Sequence, residues 1–107
     1  MMKYGKMYKF GTVILAKVQY TDTFEIKLRP AVVLFEEYGN IVCAAITSNP
    51  HMKGITLTKE DGAVKNSVIK INYIFTISCE MIEKVLFSLS LEKRKIIKDE
   101  LMSRLRV

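Results

Sequence analysis

Two polar residues in this sequence stand at the ends of apolar runs, where they could act together on an anion. Arg29 lies near the start of the run 28–35, and Thr47 closes the run 41–47. If the two runs pair as an antiparallel hairpin, their outer ends lie side by side, with the guanidinium beside the hydroxyl. A guanidinium presents a planar fork of donors and stays charged, so the pair could bind a phosphate group. The alternative is an edge arginine in solvent beside a threonine that merely suits a strand.

The loop after Thr47 contains one further residue with possible chemistry. His51 lies in the loop 48–54, where Asn49, Pro50 and Gly54 break regular structure. An unperturbed imidazole titrates near neutral pH, so His51 could act as a general base. It could equally be a surface histidine beside a proline. Both interpretations stay open at this stage.

The hairpin that would position Arg29 and Thr47 is the most apolar part of the chain. Its two runs are rich in Val and Ile, and residues 36–40 between them predict a turn. Pro30 has no N–H to donate to a ladder, which predicts that its strand begins at an edge or at a bulge.

Further strands are predicted on both sides of the hairpin. Residues 10–20 predict a first strand, and its apolar middle at 13–16 is typical of a strand covered on both faces. Residues 24–28 alternate apolar and polar, which predicts an extended, half-exposed lead into Arg29. The remaining predicted elements are turns at 21–23 and 59–62, strands at 55–58 and 84–87, one or two strands across 67–77 with a bend at Asn72, and a helical turn at 79–82 capped by Ser78.

Residues 90–106 predict the one long helix, with Ser90 as its N-cap. Ile97, Leu101 and Leu105 fall four apart, flanked by Ile96 and Met102, which predicts an apolar stripe against the core. Basic residues fall mostly on the other face: Lys93, Arg94, Lys95 and Lys98. That face is either a solvated helix surface or a stripe that binds nucleic acid.

Composition predicts one globular domain across residues 1–107. Half the residues are hydrophobic and the formal charge is +6, which favours a polyanionic partner, nucleic acid before membrane. No run approaches the roughly 20 apolar residues of a membrane helix, and the start of the chain lacks the apolar segment of a signal peptide. Cys43 and Cys79 stand far apart among apolar neighbours, which predicts buried thiols in a reducing cytoplasm. With one histidine, a zinc site is not expected.

An ordered set of short motifs resembles the MazF/PemK toxin family over about residues 10–106. The motifs are Gly11-Thr12-Val13, Arg29-Pro30-Ala31-Val32-Val33-Leu34, Ala45-Ile46-Thr47-Ser48, Gly62 with Ser67-Val68-Ile69, Ile74-x-Thr76-Ile77, and Leu89-Ser90 before the helix. The resemblance implies an SH3-like small barrel of mainly β, α+β class, with a C-terminal helix packed on it. It also implies a homodimer that cleaves single-stranded RNA without a metal ion or cofactor, and a cognate acidic antitoxin.

Residue by residue, the resemblance assigns catalytic roles to Arg29 and Thr47. The residues expected to bind RNA are Lys27, Ser48, Asn49, His51, Lys53 and Ser67. The chain departs from the family pattern in three places. Gly11-Thr12 replaces a frequent Gly-Asp, the loop at 21–27 lacks the usual Gly-Ser-Glu run, and Phe75 to Ser78 replaces Arg-Thr-Ile-Asp. The loop change bears on base preference and rate, because in the family this loop borders the RNA groove.

The expected function is therefore that of a toxin endoribonuclease cutting mRNA at short sequences. Two alternatives remain from the sequence. One is a family member that binds RNA or a partner without cutting. The other is a gyrase-poisoning toxin of the related CcdB type, which depends on a tryptophan near its C-terminus, whereas this chain has none.

Overall fold

The computed structural model describes residues 8–19 and 25–106, which form six strands and one α-helix. The strands are β1 (Thr12–Gln19), β2 (Ile26–Glu37), β3 (Asn40–Thr47), β4 (Ile55–Leu57), β5 (Ser67–Ser78) and β6 (Ile82–Ser88), and the helix is α1 (Leu91–Arg104). Two single 3-10 turns, Lys59–Asp61 and Cys79–Met81, precede β5 and β6. The turn predicted at 21–23 lies outside the described residues, as do residues 1–7, Tyr20, Phe24 and Val107.

All the strand pairs are antiparallel, and the sheet order is β4-β5-β3-β2-β1-β6. The sheet curls into a half-barrel that carries the C-terminal helix. This confirms the predicted mainly β fold of α+β class. The order follows from the hairpin at its centre, because β2 and β3 add β1 and β5 on their outer sides.

The predicted hairpin is present, with a tighter turn than expected. Glu37 pairs with Asn40, so only Tyr38 and Gly39 connect β2 to β3. Both have positive φ, 52° and 81°, as two-residue hairpin turns require. Pro30 does not begin β2, which starts four residues earlier and lies inside the sheet. Pro30 pairs with Leu15 of β1, and the β2–β3 pairing ends one residue later in the chain, at Ala31. The missing N–H of Pro30 therefore costs no hydrogen bond to β3.

The bend predicted at Asn72 is a bulge in a single long strand. Along β3, Ala44 pairs with Ile74 of β5, but the next residue, Ala45, pairs with Lys70. Residues 71–73 therefore fall between two consecutive rungs of the ladder. A bulge of this kind bends its strand and helps the sheet to curl.

The core has two parts, one on each face of the sheet. Val13 belongs to the cluster that includes Ile97 of the helix, whereas its neighbour Ile14 belongs to the cluster around Ile41 and Cys43. Adjacent residues of one strand point to opposite faces, so this division confirms that the middle of β1 is covered on both sides.

Burial raises the pKa of the Cys43 thiol to about 12, which keeps it protonated. Cys43 and Cys79 are free thiols.

The helix begins as predicted, because the Ser90 hydroxyl accepts a hydrogen bond from the N–H of Lys93 at 3.1 Å. Its apolar stripe is shorter than predicted. Ile97 is buried and Leu101 packs on the core, but Leu105 is 70% exposed. Ile96 and Met102 are also exposed. Leu105 is the C-cap residue, just after the helix ends at Arg104, so it does not continue the helical stripe.

The basic residues of the helix do not share one solvated face. Lys95 and Lys98 are exposed, but Lys93 and Arg94 are half-buried. Lys93 reaches the edge strand β4, as described below. No helix in the described part of the chain has the length and hydrophobicity needed to cross a membrane.

Candidate active site

The ends of β2 and β3 open onto a groove of about 510 Å³, here called the strand-end groove. Its lining comprises Val13, Leu15, Arg29, Pro30, Ile46, Thr47, Ser48, Leu57, Gly62, Ala63, Val64, Lys65, Ser67, Lys84, Leu86 and Phe87. The ladder brings Arg29 and Thr47 to the same place. Ala31 pairs with Ala45, and a further two residues along each strand lead to Arg29 and Thr47. The sequence prediction that these two residues meet at one rim is confirmed.

Thr47 is half-buried in the wall of the groove, and its hydroxyl oxygen already takes part in one hydrogen bond. The oxygen accepts a bond from the N–H of Asn49 at 3.2 Å. Within the described residues the hydroxyl proton has no acceptor, so Thr47 can donate that proton to a ligand oxygen. Arg29 lines the same groove and is exposed to solvent.

The groove is a cationic site. Arg29, Lys65 and Lys84 line it, and the described lining contains no carboxylate. Lysine ammonium groups and guanidinium in a concave wall attract anions and raise their local concentration. Leu15, Leu57 and Phe87 supply an apolar floor. The arrangement can therefore bind a phosphate group beside an apolar or aromatic ring system.

The other residues predicted to bind RNA are distributed unevenly. Ser48 and Ser67 line the groove, and the Ser67 hydroxyl already donates to the carbonyl of Lys65 at 3.0 Å. Ser67 can then only accept a bond from a ligand without giving up its own. Lys27 is exposed on β2, two residues before Arg29, with its Nζ 3.9 Å from a Glu25 oxygen.

The rest of that predicted set lies outside the groove lining. In the loop after β3, the Asn49 carboxamide oxygen accepts a bond from the N–H of His51 at 2.9 Å, and both residues are exposed. Lys53 lines a different concavity, between β4, β5 and the helix. The structure therefore does not bring His51 or Lys53 into contact with the groove.

Sequence reasoning missed the two lysines of the groove wall. Lys65 stands two residues before Ser67, and Lys84 and Leu86 alternate along β6. Alternation would have placed Lys84 and Leu86 on one face of a strand. It gives no sign that β6 lies beside β1, which is the pairing that brings Lys84 to the groove.

Gly62 closes the groove at a position that only glycine fits easily. Its φ is 115°, in the left-handed region, and it ends the 3-10 turn Lys59–Asp61. An added Cβ would lie 2.8 Å from the ring of Phe87, which also lines the groove.

Among the described residues there is no group of three or more His, Cys, Asp or Glu that could hold a metal ion.

Comparison with known proteins gives this groove a family context. The sequence profile described as "PemK-like, MazF-like toxin of type II toxin-antitoxin system" matches residues 9–105 of the 107-residue chain. A search of curated proteins found no significant match. The match covers all six strands and the helix, including both Arg29 and Thr47. The chain belongs to the PemK-like, MazF-like family of toxins from type II toxin–antitoxin systems.

Proposed function

We propose that this toxin is an endoribonuclease that cleaves single-stranded mRNA at short specific sequences without a metal ion. The observation that carries the proposal is the juxtaposition of Arg29 and Thr47 in a cationic groove whose described lining has no carboxylate. Family membership supports the toxin role directly and the nuclease role by its usual activity. A single-stranded RNA suits the groove because phosphates meet the cations while bases lie on the apolar floor.

The reaction that fits these residues uses the RNA as its own nucleophile. The 2′-oxygen gives its proton to water and attacks the adjacent phosphorus, and the bond from phosphorus to the 5′-oxygen breaks as that oxygen takes a proton from water. The products are a 2′,3′-cyclic phosphate and a 5′-hydroxyl. Arg29 would stabilise the charge on the pentacovalent phosphorus, and Thr47 would donate to a non-bridging oxygen. Because His51 does not line the groove that contains Arg29 and Thr47, we propose it for RNA binding and not for proton transfer.

Residues around this pair would bind the strand on either side of the cut. We propose Lys27, Ser48, Asn49 and Ser67 for this role, with Lys65 and Lys84 added because they line the groove. Lys53 is taken up separately below.

The proposal is tested by digesting a long single-stranded RNA with purified protein, with and without EDTA, and mapping the ends by primer extension. Discrete cuts that persist in EDTA are expected. A mobility shift without cuts would instead identify a binding protein that has lost catalysis. Inhibition of gyrase with no effect on RNA would identify a toxin of the gyrase-poisoning class.

We also propose that the protein is a homodimer in the cytoplasm. Large apolar side chains are exposed on the described surface outside the groove, among them Tyr38 at 86% and Leu91 at 73%. β6 forms one edge of the described sheet and exposes Val85. Dimers bury such surface and such edges. Sedimentation at micromolar concentration should show a dimer, and a monomer alone would refute this.

A type II toxin has an antitoxin partner, and we propose that here it is acidic, partly disordered and blocks the groove. A protein of charge +6 attracts an acidic chain as well as RNA, and folding on binding suits a removable inhibitor. Expression of the protein alone should arrest growth, and co-expression of the adjacent small gene should relieve the arrest. Equal toxicity in the two cases would contradict this pairing.

A further inference from the structure

A second concavity of about 670 Å³ lies between β4, β5 and the helix, and we call it the helix cleft. Its lining comprises Lys53, Gly54, Ile55, Thr56, Lys70, Ile71, Asn72, Lys93, Ile96, Glu100 and Arg104. Four of these residues are cations and one is a carboxylate. The proposed nuclease site makes no use of this cleft.

Two of the four cations are already neutralised. Lys93 Nζ lies 3.6 Å from the Asp61 carboxylate and donates to the carbonyl of Thr56 at 2.8 Å. An Arg104 guanidinium nitrogen lies 2.8 Å from a Glu100 carboxylate oxygen. The Lys93 contacts join the helix to the edge of β4, whereas the Arg104–Glu100 pair lies within the helix. Both ion pairs leave little charge for a ligand.

Lys53 and Lys70 are different. Lys70 Nζ donates to the carbonyl of Lys53 at 2.6 Å and lies 5.4 Å from the centre of the Tyr73 ring. This fixes the ammonium while leaving its charge and two of its three N–H donors available. Within the described part of the chain neither lysine pairs with a carboxylate. The cleft therefore presents two cations with no carboxylate partner among the described residues, and one of them is held in position.

The loop after β3 and the edge strand β4 connect the strand-end groove to this cleft. Ser48 lines the groove, and the loop it begins leads to Lys53, which lines the cleft. Along β4, two consecutive residues line different concavities: Thr56 lines the cleft and Leu57 lines the groove. Consecutive Cα atoms are about 3.8 Å apart, so the linings of the two concavities adjoin along β4.

We infer that RNA leaving the strand-end groove crosses the loop 48–53 and that Lys53 and Lys70 bind a phosphate of the flanking nucleotides. The inference rests on the proposed function, since it extends the same RNA path. An acidic partner peptide is the competing occupant of a cationic cleft. A strand of RNA is the occupant favoured by this path, because the loop that begins at Ser48 in the groove ends at Lys53 in the cleft.

The test uses the full-length protein and oligonucleotides centred on the mapped cut site, made uncleavable by a 2′-deoxy substitution at the attacking nucleotide. One oligonucleotide is about six nucleotides long and the other about fourteen, within the range of single-strand binding sites. Affinities are measured at several salt concentrations for wild type, Lys70→Gln and Lys53→Gln. Lys95→Gln and Lys98→Gln are matched controls, because both residues are exposed on the helix outside either concavity.

Wild type should bind the longer oligonucleotide more tightly, and the salt dependence of that binding should be steeper. Each cleft substitution should weaken binding of the long oligonucleotide roughly three- to fivefold and reduce the log–log salt slope by about 0.7, the value for one lost phosphate contact on a single strand. Binding of the short one, and cleavage of its all-ribose counterpart, should not change in Lys70→Gln. Lys70→Arg should retain the affinity because it retains the charge.

Equal affinity of wild type for the two lengths, or equal losses in the cleft variants and the controls, would overturn the inference while leaving the nuclease proposal intact. The inference also fails if the cleft variants keep their RNA affinity but no longer retain a co-expressed acidic partner, since the cleft would then bind that partner. If no RNA is cut or bound, the nuclease proposal fails and this inference fails with it.

Discussion

The strand-end groove and the helix cleft are both cationic, but they use their charges differently. In the groove, Lys65 and Lys84 have no carboxylate among the described residues that line it with them. In the cleft, Lys93 and Arg104 are bound to Asp61 and Glu100. The number of cations that line each concavity does not distinguish the two. The carboxylate partners of those cations do distinguish them, because a neutralised cation offers a polyanion little attraction.

The paired lysine of the cleft also has a structural task. β4 is a three-residue strand at one edge of the sheet, and the Lys93 ammonium donates to its Thr56 carbonyl. A lysine that covers an edge strand satisfies a backbone acceptor that could otherwise pair with another chain. Substitutions in the groove should therefore change activity, and substitutions around Lys93 should change stability.

The largest effect is expected for Arg29→Ala in the groove. Cleavage should fall by roughly 10²- to 10³-fold, the usual loss for one preorganised transition-state donor. The fold should persist, because Arg29 is exposed and outside both core clusters. RNA affinity should fall much less, because other cations share ground-state binding. Single-turnover rates and thermal melting of the same samples measure the two quantities.

Arg29→Lys is the companion variant. It should recover little activity, because an ammonium group cannot reproduce a bidentate grip on phosphate. A folded Arg29→Ala protein that cuts at the wild-type rate would remove the catalytic assignment. Lost stability with unchanged cleavage per folded molecule would mean that the arginine is structural.

The next effect concerns Asp61, beside the cleft. Burial alone would raise the pKa of this carboxyl, but hydrogen bonds from Thr58 and the charge of Lys93 outweigh it and lower the pKa. Asp61→Asn should reduce the free energy of unfolding by about 1 kcal/mol at neutral pH. A lowered pKa stabilises the fold above the ordinary carboxyl range, and that contribution is lost as pH falls through the folded-state value.

The difference between wild type and Asp61→Asn should therefore be constant near neutral pH and shrink in acid. Urea unfolding at neutral pH and in acid, below the ordinary carboxyl range, measures it. Glu60→Gln is the matched control, because this neighbouring carboxylate is exposed. A difference that grows on acidification would contradict the sign of the shift, and a loss of RNA cleavage with intact stability would contradict the structural role.

Thr47→Ala should have a smaller effect, reducing cleavage by roughly three- to tenfold, as expected for one neutral hydrogen bond. Thr47→Ser keeps the hydroxyl and should recover most of the rate. Rate constants at saturating RNA would show this. If alanine and serine behave alike, the hydroxyl makes no contribution, and only the shape of the strand matters.

The smallest effect is expected for Lys84→Gln in the groove wall. One lost phosphate contact should weaken RNA binding a few-fold and reduce the salt slope by about 0.7 without changing the rate at saturation. Lys95→Gln, on the exposed face of the helix, should change neither. Equal losses in both would mean that RNA responds to net charge alone and not to the groove.

Local sequence patterns determined much of this protein. Two apolar runs rich in Val and Ile, with turn residues between them, were sufficient to predict the central hairpin and therefore the placement of Arg29 and Thr47 at one rim. Ser90 was sufficient to predict the start of the helix. These features depend on residues close together in the chain or joined by a two-residue turn, so local periodicity carries the information.

Only the tertiary structure decided which distant elements meet. Lys84 reaches the groove because β6 pairs with β1, the first strand of the described chain. Lys93 turns from a predicted solvated face to the edge of β4, and Lys53 enters the helix cleft instead of the groove. Periodicity assigns a side chain to a face of its own helix or strand. It does not say which other element will cover that face, because that depends on how the curled sheet brings its edges and the helix together.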